Sequence, residues 1–140
     1  MLIRNKTLNV LKQMAKDAYP KEGCGLLIGE AEKFLVTGFQ ELENAAAPDM
    51  TGRHFILDPL KVYEAEKEIE GEKLDILGFY HTHPDHKAIL SEEDRFYMIP
   101  GMLYMILSVV KGKCRDIRVY EKRESDGIVT EILILEVASS

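Results

Sequence analysis

Apolar and polar positions along the chain change period several times, and each change marks an element. From Thr7 to Ala18, Leu8, Leu11, Ala15 and Ala18 recur at helical spacing, and Pro20 closes the segment. Asn5 or Thr7 is expected to cap this first helix after a short start at Met1–Arg4. Gly25–Gly29 is an apolar run between glycines and reads as a buried strand. Lys33–Gln40 is its expected hairpin partner, with Glu30–Lys33 as the turn. Asn44–Arg53 reads as a loop and His54–Leu57 as a short strand. Asp58-Pro59 opens a second helix, Asp as N-cap and Pro at the first helical position, running to about Glu70 and ending at Gly71. Leu74–Tyr80 is a strand, Pro84–Leu90 a loop, and Ser91 begins a third helix that Pro100 ends. Three strands follow: Leu103–Val110, Arg115–Lys122 and Ile128–Val137. This alternation predicts one α/β (α+β) domain over residues 1–140, a mixed β-sheet flanked by helices.

Composition narrows the function classes. The chain has 140 residues, 46% hydrophobic and 30% charged, in the range of an ordinary globular protein. A net charge of −6 argues against nucleic acid as a partner. The basic stretch Lys111, Lys113, Arg115 and Arg118 alternates with other residues and reads as a solvated strand face. Ile99–Val110 is the longest uncharged stretch, too short to span a bilayer. The first residues lack a signal-type apolar core, and the two cysteines, Cys24 and Cys114, form no CxxC pair. A cytoplasmic protein with no membrane partner is expected. The strand-rich ends Met1–Arg4 and Ile128–Val137 are candidate edges for a homodimer.

Candidate chemistry concentrates after the fourth apolar strand. His81 and His83 lie two apart on an extended chain, so both imidazoles point to one side. Ten residues separate His83 from Asp94, which falls in the first turn of a helix able to fold back. Two imidazoles and one carboxylate are a ligand set for one Zn2+, with a fourth position for water. Zinc lowers the pKa of such water to about 7, so hydroxide is available at neutral pH. Glu22, just before a glycine-rich buried strand, is the candidate general base. Ser91 is a candidate hydrogen-bond donor to a developing oxyanion. Ordinary readings stand beside these. The histidines could be exposed at a strand end, Ser91 with Asp94 is also a capping-box pattern, and Glu22 could be a surface carboxylate. Cys24 reads as a small buried hydrophobe rather than a nucleophile, His54 as structural or exposed, and Met98, Met102 and Met105 as core filling. Gly23, Gly25 and Gly29 lack the spacing of a dinucleotide loop.

Taken together, Glu22, His81-Thr82-His83-Pro84, Ser91 and Asp94 resemble the JAMM (MPN+) metalloprotease motif, Glu…His-x-His-Pro-x6-Ser-x2-Asp. The likeness extends to Glu22–Gly29, to Glu43–Ala46 followed by Phe55–Pro59, and to Pro100-Gly101 before an apolar strand. It implies a fold similar to cytidine deaminase, zinc on His81, His83 and Asp94, Glu22 as acid and base, and Ser91 as oxyanion stabiliser. Asn44, Thr82 and His86 are candidate substrate contacts. Thr82 replaces the more common Ser, and Leu90 a frequent Pro. The compact length is similar to stand-alone prokaryotic members, some of which act on ubiquitin-like sulfur-carrier proteins with Gly-Gly ends. The implied reaction is hydrolysis of an amide at that tail, releasing cysteine or trimming residues. Alternatives are an isopeptidase acting on another ubiquitin-like protein and an inactive MPN scaffold. A zinc deaminase is disfavoured because its HxE…PCxxC signature is absent.

Overall fold

A computed structural model of the chain describes residues 1–43 and 58–138. The loop reading of 44–53, the strand reading of 54–57, His54 and the candidate contact Asn44 lie outside the described residues. In chain order the elements are β1 (Leu2–Arg4), α1 (Asn5–Ala18), β2 (Cys24–Glu30), a 3-10 turn (Ala31–Lys33), β3 (Leu35–Leu42), α2 (Pro59–Ile69), β4 (Asp75–Pro84), α3 (Glu92–Tyr97), β5 (Leu103–Val110), β6 (Lys113–Lys122), β7 (Val129–Ile132) and β8 (Leu135–Val137). The strands form one mixed sheet in the order β7-β6-β5-β4-β2-β3-β1-β8. β4 lies near its middle, antiparallel to β2 and parallel to β5.

The sheet curls nearly onto itself. β7 and β8 occupy opposite ends of the strand order, yet only Leu133 and Ile134 separate them. Three Cα steps cannot exceed about 11 Å, so the two edges lie close together. The expected single strand Ile128–Val137 is therefore two strands on opposite edges. Met1 stitches the gap: its amine donates to the Leu133 carbonyl (2.9 Å), and Leu135 N donates to the Met1 carbonyl (3.0 Å). β1 is enclosed between β3 and β8, so Met1–Arg4 is not a sheet edge and offers no free ladder to a second copy.

Strand alternation sends successive side chains to opposite faces and builds two cores. On one face α1 lays Leu8, Leu11, Met14 and Ala15 against Leu27, Val36, Tyr80, Met105, Leu107 and Val119. On the other, Leu26, Phe79, Tyr104, Ile106 and Tyr120 pack with Ala65 of α2 and with Ala88, Leu90 and Met98. Gly78 lets β4 lie close against β5, since a Cβ there would sit 2.0 Å from the Leu103 carbonyl oxygen.

Local signals fared unevenly. α2 starts as expected, the Asp58 carboxylate accepting from Leu60 N at 2.9 Å with Pro59 in the first turn. α1 starts at Asn5 with Arg4 as N-cap and no side-chain capping bond. Thr7 turns inward and donates to the Thr37 carbonyl at 2.8 Å, because a buried hydroxyl facing a strand finds its partner there. α3 is only six residues long and stops at Met98, whose buried side chain and extended backbone turn the chain before Pro100. β4 runs on through Pro84, so His81 and His83 are inside the strand rather than beyond it. Among the described residues, no helix is long and apolar enough to cross a membrane.

Candidate metal centre

Because β4 continues past Tyr80, residues 79, 81 and 83 share the α2/α3 face. The apolar core of that face ends where the histidines begin. His81 is buried and His83 half-buried. Their rings lie 4.7 Å apart between centroids, and the two Nε2 atoms converge to 2.8 Å. His83 Nδ1 lies 2.7 Å from the Lys87 carbonyl oxygen. A carbonyl can only accept, so the proton is on Nδ1 and the Nε2 lone pair faces the site. Burial pushes both imidazoles below their ordinary pKa, and for His81 the neighbouring His83 adds to the effect. Both are neutral near pH 7, the state a metal requires.

The third donor arrives from α3. Residues 85–90 fold back over the sheet with Ala88 and Leu90 buried. Ser91 then caps α3 in a complete capping box: its Oγ accepts from Asp94 N (3.0 Å), and Asp94 Oδ2 accepts from Ser91 N (3.1 Å). This leaves the second Asp94 oxygen free of the box. One donor atom from each of His81, His83 and Asp94 lies within 4.8 Å of the others. Zinc bonds of about 2.0–2.2 Å in a tetrahedron put ligand atoms roughly 3.3–3.6 Å apart. The two Nε2 atoms lie 2.8 Å apart and all three donors within 4.8 Å, near enough to that spacing for these residues to fit a single divalent ion.

Glu22 approaches from the opposite strand. Register pairs Cys24 with His81, and β2 begins there. One residue further, Gly23 N donates to the Thr82 hydroxyl (2.8 Å) and Thr82 N to the Gly23 carbonyl (2.9 Å). A side chain thus replaces the backbone as ladder partner just before Glu22. Glu22 is only 6% exposed, and its carboxyl is pushed up to about 8, by burial first and then by the Asp94 charge. Burial near a second carboxylate is the environment that tunes a general base or acid toward neutral pH.

Of the predicted site residues, Glu22, His81, His83, Ser91 and Asp94 are brought together. The buried Thr82 is not placed as a substrate contact, because its side chain is covered on the α1 face, opposite the donors, where its hydroxyl accepts from Gly23 N. The His86 ring is exposed and outside the donor group. Ser91 is both cap and neighbour of the site. Its oxygen accepts the Asp94 amide, which leaves its own proton to donate. Cys24 is fully buried, and burial pushes its thiol up to about 12, far from a reactive thiolate. Arg118 of the basic stretch is exposed and pairs with Asp116 (2.8 Å) and Glu131 (3.0 Å), as a solvated strand face should. Ser108 and Tyr120, which hold the segment before α3, escaped the sequence reading. Ser108 had left a signal, being the one polar residue in the buried run LYMILSVV.

Beside the donors, Pro59, Val62 and Tyr63 of α2 face Phe79, Tyr104, Tyr97 and Ile99 across a mainly apolar groove of about 450 Å³. Phe79 is two residues before His81 and Tyr97 three after Asp94, so the groove lies near the centre, although none of the three donors lines it.

Known proteins resemble this chain in sequence and in fold. A desampylase from Haloferax volcanii is 32% identical over 106 residues, covering 75% of each chain. A probable TtuB-protein conjugate cleaving protease from Thermus thermophilus is 37% identical over 75 residues, 54% of this chain and 47% of that protein. A solution structure of a Desulfitobacterium hafniense protein superposes with a TM-score of 0.79 at 24% identity, covering 99% of this chain and 93% of the other. A JAB1/MPN domain protein from Archaeoglobus fulgidus gives a TM-score of 0.61 at 19% identity, covering 96% and 97%. The family described as prokaryotic homologs of the JAB domain matches residues 4–120, most of the chain, and the protein belongs to that family.

Proposed function

We propose that this protein is a zinc-dependent hydrolase that cleaves an amide bond at the C-terminal Gly-Gly tail of a ubiquitin-like sulfur-carrier protein. The observation that carries the reading is the convergence of His81, His83 and Asp94 within 4.8 Å beside the buried carboxyl of Glu22. Zinc held by these three residues would supply Lewis acidity and a water acidic enough to attack a carbonyl at neutral pH.

The chain's own groups divide the remaining work. Glu22, buried beside the donors, takes a proton from the attacking water and returns it to the leaving amine, its carboxylate form being favoured once a cation is bound nearby. The spare proton of the Ser91 hydroxyl is directed at the oxygen that gains charge. Burial keeps His81 and His83 neutral, and the Lys87 carbonyl holds His83 with its Nε2 inward. The groove lined by Tyr63, Phe79 and Tyr97 suits an extended tail. Glycines suit such a tail, since a backbone without side chains can approach closely.

The names of the two relatives support a protein-conjugate substrate, and the second favours a reading in which the bond joins carrier to target protein. The test uses purified protein. Metal analysis is expected to find about one zinc per chain, lost in His81→Ala and Asp94→Ala. Mass spectrometry of a carrier–cysteine adduct and of a carrier–protein conjugate then separates the two bonds by product mass. A wild-type protein that binds no zinc, or that leaves both substrates intact with zinc bound, would defeat the proposal.

A further inference from the structure

Between His83 and Asp94 the chain is held by its carbonyls. Three consecutive carbonyl oxygens each accept a hydrogen bond from a side chain of a different strand. Ser108 of β5 donates to His86 O, His83 of β4 to Lys87 O at 2.7 Å, and Tyr120 of β6 to Ala88 O at 2.8 Å. Surface loops ordinarily give such oxygens to water. Here the sheet takes all three, and the Lys87 oxygen accepts from Ile89 N (2.9 Å) as well. Ser108 is 3% exposed and Tyr120 7%, so neither bond can be exchanged for water without cost.

The middle bond of the three belongs to a candidate donor. Register places Ser108 directly beside His83 on the neighbouring strand, so the His86 carbonyl and the His83 ring are held from adjacent positions. If the His86 and Ala88 carbonyls are fixed, the Lys87 carbonyl between them has little freedom, and His83 keeps its Nδ1–H tautomer. Beyond Ala88, buried Leu90 leads directly into the Ser91–Asp94 box. On the other side the Asp85 carboxylate accepts from the Tyr19 hydroxyl (2.7 Å) and from Lys111 N (2.8 Å). The segment is pinned at both ends and at every carbonyl from 86 to 88.

We propose that Ser108 and Tyr120 are positioning residues of the metal centre: they clamp the carbonyls flanking Lys87, which orients His83 and sets where α3 delivers Asp94. Neither belongs to the donor group. The inference rests on the metal reading above but concerns residues that reading leaves without a role. Second-layer groups that orient metal ligands typically change affinity by 10–100-fold when removed.

The test compares wild type with Ser108→Ala, Tyr120→Phe and the double variant. Each single change deletes one oxygen and keeps the surrounding side-chain volume, and failure of either to fold leaves the other. Zinc affinity is measured by chelator competition on folded protein, and the site is inspected by the visible spectrum of the cobalt-substituted form. In metal-free protein, nitrogen NMR of the His83 ring at pH 8 reports the tautomer. About tenfold weaker zinc binding is expected for each single variant and about 100-fold for the double, with an altered cobalt spectrum and a mixed His83 tautomer. Variants that melt earlier yet keep wild-type zinc affinity and a single tautomer would overturn the proposal, leaving these side chains purely structural. Should wild type bind no zinc, the metal reading fails separately. The tautomer measurement still decides the clamp: mixing in the variants upholds it and an unchanged tautomer removes it.

Discussion

The two faces of the sheet are built from the same strands and do different work. The α1 face is closed: a 14-residue helix lays Leu8, Leu11, Met14 and Ala15 on an apolar floor, and its core extends from Met1 through Val119. The α2/α3 face has a smaller core, one buried residue in α2, and a six-residue helix whose Phe96 and Tyr97 stand 74% and 71% exposed. Alternation along β4 shows the division in consecutive residues. Tyr80 and Thr82 point toward α1, one filling the core and the other tying down Gly23, while Phe79, His81 and His83 point toward the α2/α3 face. Stability resides where packing is uninterrupted, and titratable groups gather where it stops. That separation lets a buried carboxyl persist at Glu22 because the opposite face supplies the folding free energy.

Changes on the two faces should separate in their readouts. The largest effect is expected for Glu22→Gln, which removes the proposed base while keeping its shape. Turnover of a carrier conjugate should fall by about 10²–10⁴-fold with zinc content unchanged, and full activity would remove Glu22 from the chemistry. Next comes Leu11→Ala on the closed face. A fully buried leucine is truncated there, so urea unfolding should report a loss of about 2–5 kcal/mol, while zinc affinity of the folded protein stays at the wild-type value.

Third is the pH dependence of the metal-free protein. Glu22 is raised from 4.5 to about 8 in the fold. Below pH 4.5 it is neutral folded and unfolded, and its burial adds no penalty. Between 4.5 and 8 the unfolded chain releases the proton while the fold retains it, so stability declines as pH rises, by an amount on the order of 5 kcal/mol. Denaturant midpoints across this range should show the decline in wild type, a smaller one in Glu22→Gln, and a smaller one when zinc is added, since a nearby cation favours the carboxylate. The smallest effect belongs to Asp58→Ala at the start of α2, outside both cores: about 1 kcal/mol from the lost cap, read as a modest shift in thermal midpoint with no change at the metal centre.

Much of the candidate site was legible because its signals are local. A His-x-His pair on an extended chain needs only the two-residue strand period to face one way. Ser91 to Asp94 is a capping box within one helical turn, and Asp58-Pro59 starts α2 through groups two residues apart. The hairpin of β2 and β3 followed from an apolar run and a nearby turn. Its place beside an apolar run also marked Cys24 as a small buried hydrophobe, and its fully covered side chain agrees.

What tertiary structure alone decided concerns partners far apart in the chain. No local pattern could tell that Leu133 and Ile134 cross between opposite sheet edges, or that Met1 would close the gap, because strand propensity is indifferent to which neighbour completes the ladder. Thr7 chose the Thr37 carbonyl over a cap, and Thr82 the Gly23 amide over a ligand, only once the sheet had placed those groups within reach. The depth of Glu22, and hence its raised pKa, depends on burial by strands assembled from across the chain. Residue types and short spacings are properties of the sequence. Burial and long-range hydrogen bonds exist only after the sheet has curled, and they turn a list of possible ligands into a centre.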